Sequence, residues 1–171
     1  MQIITNKQGN IENVIEEAIR EATSLNYFSY SPYSKFKVSS VVVVKLSEST
    51  WVISGGVNVE NASYGLSQCA ERNAICGLIG NSKELTNKLI DMKIPEFTSP
   101  QRIFDLSKCP IEAVVVYTPT SIHTTPCGAC RQFINEFSHE NTKIISVNRQ
   151  EEIKTFKMKD LLPASFGPLN L

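Results

Sequence analysis

The chain has 171 residues, 42% of them hydrophobic, and its 17 basic and 17 acidic side chains cancel. That length and apolar content suffice for one globular domain over 1–171 with a sizeable core. A balanced charge, with no block of five or six Lys/Arg, argues against nucleic acid or an anionic membrane as partner. No window nears the roughly 18 apolar residues of a membrane span, and the segment from Met1 to Lys7 lacks the apolar core of a signal peptide. Five cysteines, an odd number, with no export signal favour reduced thiols and metal ligation over disulfides. The expected compartment is the cytoplasm.

In chain order, Ile11, Val14, Ile15, Ala18, Ile19 and Ala22 recur at helical spacing behind Asn10, a good N-cap, and predict an amphipathic helix to about Leu25. The stretch from Tyr27 to Phe36 is aromatic-rich and hostile to helix. Lys37 to Leu46 contains Val41-Val42-Val43-Val44, a run typical of a strand covered on both faces. Glu48-Ser49-Thr50 reads as a turn and Trp51 to Ser54 as the returning strand. Gly55-Gly56 then reads as a break in regular structure.

A second helix follows from Cys69, with Ala74, Ile75, Leu78 and Ile79 as its apolar face and Gly80 at its end. Residues 81–110 read as a surface insertion. Leu85, Leu89, Ile90 and Met92 allow a short helix there, but Pro95 and Pro100 forbid a long one. Ile111 to Tyr117 predicts a buried strand. A helix from Cys127 runs through Phe133, Ile134 and Phe137, and strands follow at Lys143 to Val147 and Ile153 to Met158, then a turn at Asp160 to Pro163. Helices between strands imply crossovers, hence an α/β fold with a largely parallel sheet.

Chemistry concentrates at two helix starts. Cys127 and Cys130, three apart, lie on one face and can reach a common ion. Cys69 is the natural third ligand. Three protein ligands leave one position of a zinc ion for water, the arrangement of a catalytic rather than a structural site. Cys76 and Cys109 lack partner spacing, and His123, four residues before Cys127, is expected on a loop rather than as a fourth ligand. Helix N-termini favour thiolates. Three thiolates on Zn²⁺ leave a net charge of −1, which Arg72 can offset by donating to sulfur. Glu71 can take a proton from water beside a metal. Residues two apart do not share a helix face, so Cys69 and Glu71 converge only if the site lies ahead of the helix end. Taken one by one, the residues allow plainer readings: a structural zinc clip, a solvated Glu71, and turn or cap roles for Asn58 and Glu60.

Cys69-Ala70-Glu71 together with Pro126-Cys127-Gly128-Ala129-Cys130 resembles the zinc-dependent cytidine deaminases, in the branch with three cysteine ligands. The resemblance extends to Ser31-Pro32-Tyr33-Ser34-Lys35-Phe36, to Asn58 through Gly65, to Arg131-Gln132 and to Leu161 through Phe166. It covers most of the chain outside 81–110. It implies a three-layer α/β/α sandwich with a five-stranded mixed sheet and one Zn²⁺ per subunit, held by Cys69, Cys127 and Cys130. It implies attack of activated water at C4 of a pyrimidine, with Glu71 shuttling protons. Asn58 and Glu60 would bind the ribose hydroxyls, Phe36 and Phe166 would sandwich the base, and the backbone at Ala70 would read its polar edge. A homotetramer is implied, with Phe166 and Tyr64 as candidates for residues lent to a neighbouring pocket.

Two departures stand out. Val38-Ser39-Ser40 replaces a trio of small residues led by glycine, and 81–110 is longer than the family's usual connection. The activity implied is hydrolysis of cytidine and 2′-deoxycytidine to the uridines with release of ammonia, in pyrimidine salvage. Its rivals are a blasticidin-type nucleoside-analogue deaminase and a non-catalytic zinc- or nucleoside-binding scaffold.

Overall fold

All four side chains of Val41–Val44 are fully buried. Successive strand residues face opposite ways, so such a run needs cover on both sides. The computed structural model, which describes residues 1–5, 10–97 and 104–170, provides it in three layers. The middle layer is a six-stranded sheet in the order β1-β3-β2-β4-β5-β6. Its strands are β1 (Gln2–Thr5), β2 (Ser39–Lys45), β3 (Thr50–Val57), β4 (Ile111–Tyr117), β5 (Ser138–Val147) and β6 (Ile153–Lys157).

One face is covered by α1 (Ile11–Leu25), capped by the Asn10 side chain, which accepts from the Glu12 N–H at 2.9 Å. Val14, Ile15, Ala18 and Ala22 of α1 pack on Val41, Val43, Ala113 and Val115. The other face takes α2 (Ala70–Gly80), α3 (Ser82–Asp91), α4 (Gly128–Asn135) and α5 (Met158–Leu161). There Ala74, Ile75, Leu78, Ile134 and Met158 meet Val42, Val44, Val114 and Val116.

The sheet is mixed, not largely parallel: only β4 and β5 pair parallel, and the other four pairings are antiparallel. Strands β3, β4 and β5, joined by helices, do all run the same way. They are not all neighbours, because β2 inserts between β3 and β4 and pairs antiparallel with both. The sixth strand, one more than the resemblance implies, is β1. It adds four residues to the β3 edge, too few to announce themselves by alternation.

Two further readings need correction. Gly55 and Gly56 do not break the strand; β3 continues through them to Val57. They are there for close approach. A Cβ on Gly56 would lie 2.4 Å from the Ala74 nitrogen and 2.5 Å from the Ala70 oxygen, so only glycine lets the first turns of α2 rest on the sheet. Ser54 Oγ donates to the Ala74 carbonyl and Asn73 Nδ2 to the Val57 carbonyl, tying the same contact. The segment read as a surface insertion also sends side chains inward. Leu85 and Leu89, one helical turn apart, are fully buried, and Ile94, Phe97, Phe104 and Leu106 join the same core, while Ile90 and Met92 stay exposed. Residue Pro100 lies outside the described residues.

The serines of the Val38-Ser39-Ser40 departure are buried but bonded. Ser39 Oγ donates to the Ala22 carbonyl at 2.6 Å and Ser40 Oγ to the Val115 carbonyl at 2.8 Å, which removes the cost of burying a hydroxyl. Gly56→Ala should cost about 2 kcal/mol through overpacking, a fall of about 4–8 °C in the thermal unfolding midpoint for a chain of this size. Gly77→Ala, where the new methyl would meet only Ser54 Oγ at 3.9 Å, should leave the midpoint unchanged or raise it. Equal losses for both would contradict the close-approach role of Gly56.

Candidate active site

Cys69 and Cys127 each occupy the N-cap of a helix, with extended backbones (φ −79°, ψ 152° and φ −65°, ψ 166°). That position normally carries Ser, Thr, Asp or Asn, whose oxygen accepts from the first turn. Here neither side chain makes a capping bond, and both thiols are left to face ahead of the helix. Cys130 lies in the first turn of α4 and is fully buried. The three sulfurs lie within 4.8 Å of one another, Cys69 and Cys127 at 4.0 Å. Two zinc–sulfur bonds of about 2.3 Å at a tetrahedral angle place their sulfurs about 3.8 Å apart, so the cluster fits one Zn²⁺. His123 is not part of it.

The N-cap geometry also resolves how Cys69 and Glu71 converge. Cys69 precedes the helix rather than belonging to it, and Glu71, in the first turn of α2, is 4% exposed. Arg72 Nη2 reaches Cys69 Sγ at 3.8 Å and the Ser67 carbonyl at 3.3 Å. Without metal, the Cys69 thiol is pulled down to about 5, chiefly by its hydrogen bond with Cys130 and further by Arg72, against the cost of burial. Cys130 is pushed up, by that same bond and then by burial. A cation entering here displaces protons, which makes its affinity rise with pH. Arg131 anchors the second helix start: its guanidinium donates to the Pro126 carbonyl, the Thr125 hydroxyl and the Leu161 carbonyl at 2.8–2.9 Å.

A cavity of about 640 Å³ opens beside the sulfurs, lined by Cys69, Ala70, Glu71 and Cys127 together with Phe36, Asn58, Glu60 and Tyr64. Phe36 and Tyr64 are exposed toward its mouth. The side chain of Phe166 does not line this cavity and is exposed; its carbonyl instead accepts from Gln132 and Asn135. Sequence reasoning did not single out Thr124, Thr125, Gln68 or Val116, which also line the cavity. For the two threonines, adjacency to Pro126-Cys127 was the available signal. Val116 gave none, since a buried strand residue looks the same whether or not a cavity touches it.

The family model of the cytidine and deoxycytidylate deaminase zinc-binding region matches residues 12–146. The chain belongs to this family. It is 30% identical over 148 residues to a cytidine deaminase of Halalkalibacterium halodurans, covering 86% of this chain and 90% of that protein. A Mycoplasma pneumoniae cytidine deaminase is 31% identical over 139 residues, covering 81% and 83%. Among solved structures, a cytidine deaminase from Burkholderia pseudomallei superposes with a TM-score of 0.67 at 28% identity, over 88% of this chain and 98% of that one. One from Mycobacterium tuberculosis gives 0.61 at 26%, over 89% and 96%.

Within this deaminase-family frame the state of Glu71 is set mainly by burial. Burial holds its carboxyl above the ordinary value of 4.5; its own N–H pulls the other way and the Cys69 charge adds to the rise. A carboxyl raised in the fold stabilises it below the unfolded value, and that contribution is lost as pH climbs through the folded value. In the metal-free protein, Glu71→Gln should therefore gain thermal stability over wild type as pH is raised from the ordinary carboxyl value of 4.5 through the higher folded value. Paired melts across that range measure it, and a difference independent of pH would contradict the buried-carboxyl reading.

Proposed function

We propose that this chain is a zinc-dependent cytidine deaminase that hydrolyses cytidine and 2′-deoxycytidine to the corresponding uridines, releasing ammonia. The observation that carries this reading is a nucleoside-sized cavity beside a three-sulfur cluster, lined by the buried Glu71 carboxyl, the Asn58 amide and the Glu60 carboxylate. Cys69, Cys127 and Cys130 would hold the metal. When bound, zinc supplies the Lewis acidity that makes water nucleophilic near neutral pH. Glu71 takes the proton of the attacking water and passes it to the ring N3. It then takes the proton of the new C4 hydroxyl and delivers it to the amino group as the C4–N bond breaks and the C4 carbonyl forms, so that ammonia leaves and the carboxylate is regenerated. A carboxyl with a raised pKa suits this work, because it holds the proton it takes more tightly than an ordinary carboxylate does.

Asn58 and Glu60 bind the ribose, Phe36 stacks on the base, and the backbone at Ala70 reads the polar edge of the pyrimidine. Arg72 donates to the Cys69 sulfur and offsets excess thiolate charge. We place Phe166 as a contribution across subunits in a homotetramer, while Tyr64 lines the cavity of its own chain. The exposed Tyr27, Phe28, Tyr30, Tyr33 and Tyr64, with Tyr27 against Phe28 and Tyr33 against Tyr64, are aromatic surface that such an assembly would cover. No helix among the described residues is long and apolar enough to cross a membrane; a cytoplasmic role in pyrimidine salvage accords with this.

Loss of cytidine absorbance on incubation with zinc-loaded protein tests the reading directly. Turnover of an analogue alone would favour a specialised deaminase, and no turnover would favour a scaffold. Glu71→Ala should retain zinc yet lose at least about 10²-fold in kcat, since proton transfer disappears. Cys130→Ser should come through purification with little metal by elemental analysis, because a buried ligand is lost.

A further inference from the structure

Asn58 and Glu60 have spent most of their bonding capacity within the protein, and what each retains is of one kind. Asn58 Oδ1 accepts from Ser29 Oγ and from the Val38 N–H, while its Nδ2 donates to the Phe36 carbonyl at 2.9 Å. One N–H is left, a donor. Glu60 Oε2 accepts from the Tyr33 and Ser34 N–H groups at 2.9 and 3.1 Å, and Oε1 accepts from the Ser34 hydroxyl. These bonds, that of the Ser34 hydroxyl foremost, hold the Glu60 carboxyl below its ordinary range. An ionised carboxylate can only accept. A hydroxyl lodged between the two side chains must then accept from Asn58 and donate to Glu60.

Ser34 occupies the pivotal place. Its single proton goes to Glu60, and its oxygen accepts from the Phe36 N–H at 3.0 Å. The last torsion of a glutamate is soft and its two oxygens turn together, so the hydroxyl on Oε1 and the two N–H groups on Oε2 jointly fix the plane of the carboxylate. We propose that Ser34 is a positioning residue, whose hydroxyl sets the Glu60 carboxylate as a fixed acceptor and thereby selects a nucleoside whose 3′-oxygen carries a proton to donate. The identity of the ligand rests on the deaminase reading.

The loop keeps other ties if the hydroxyl goes. Two N–H groups remain on Glu60 Oε2, the Lys35 N–H donates to the Ser31 carbonyl at 3.1 Å, and Asn58 still holds the Phe36 carbonyl. Removing the Ser34 hydroxyl therefore loosens the plane of the Glu60 carboxylate and frees the Phe36 N–H, while the Phe36 carbonyl stays held by Asn58.

The test is binding of uridine and 3′-deoxyuridine, by ligand-observed NMR titration, to zinc-loaded wild type, Ser34→Ala and Ser34→Thr, with kcat and KM for cytidine alongside. Ser34→Ala should weaken uridine and raise KM by about three- to tenfold, the range of one charge-assisted bond in contact with solvent. Affinity for 3′-deoxyuridine and kcat should stay within about twofold, and Ser34→Thr should restore uridine binding. Equal weakening of both ligands, or no weakening of uridine, overturns the role. Wild type alone supplies a check free of folding effects: 3′-deoxy-3′-fluorouridine, whose substituent cannot donate, should bind no better than 3′-deoxyuridine. If it binds like uridine, the proposed polarity is wrong. A wild type that binds uridine with this pattern but does not turn over cytidine refutes the deaminase reading and leaves the Ser34 assignment intact.

Discussion

Holding three sulfurs together at the open ends of two helices is the constraint that organises this molecule. Thiolates repel one another, and a site that gathers them must compensate that charge. The fold does so with the unpaired N–H groups and dipoles of α2 and α4 and with the guanidinium of Arg72. Each helix start is then fixed in place by a separate device. For α2 it is the glycine contact with β3, reinforced by Ser54 and Asn73. For α4 it is the three-way grip of Arg131 on the loop ahead of Cys127 and on the chain at Leu161. A shift of either helix by one ångström would spoil the sulfur spacing that a tetrahedral ion requires.

The part of the cavity lined by Asn58 and Glu60 is built on different principles. Glu60 is not among the buried charges, and in the irregular segment Tyr33–Phe36 both aromatic side chains are exposed. Its shape comes from hydrogen bonds converging on Asn58 and Glu60, with Lys35 accepting a left-handed backbone at φ 57°. The side chains that order the loop thus also line the cavity. Loop conformation and the polarity offered to the cavity are fixed by one set of bonds.

Much of this was legible in the sequence. The valine run, the Asn10 cap, the returning strand and both helix starts fell where their patterns indicated, because each depends on local periodicity or on a single capping side chain. What was not legible depended on partners distant in the chain. Nothing in Gln2–Thr5 shows that an edge of β3 awaits a strand. A Gly-Gly pair looks alike whether it serves a turn or the approach of a helix. Leu85 and Leu89 fall in a segment interrupted by prolines, and only the fold shows that they complete a core. At the site, the ligand set could be read from cysteine spacing together with Glu71. The exhausted bonding capacity of Asn58 and Glu60 could not, because their partners Ser29, Ser34 and Val38 are brought to them by the β2–β3 hairpin.

X-ray absorption at the zinc edge of the purified protein tests the central claim most directly. The expected spectrum has one zinc per chain with three sulfurs at about 2.3 Å and one light atom at about 2.0 Å, the signature of a site with a corner left for water. Four sulfurs, or a zinc shell dominated by nitrogen and oxygen, would contradict it.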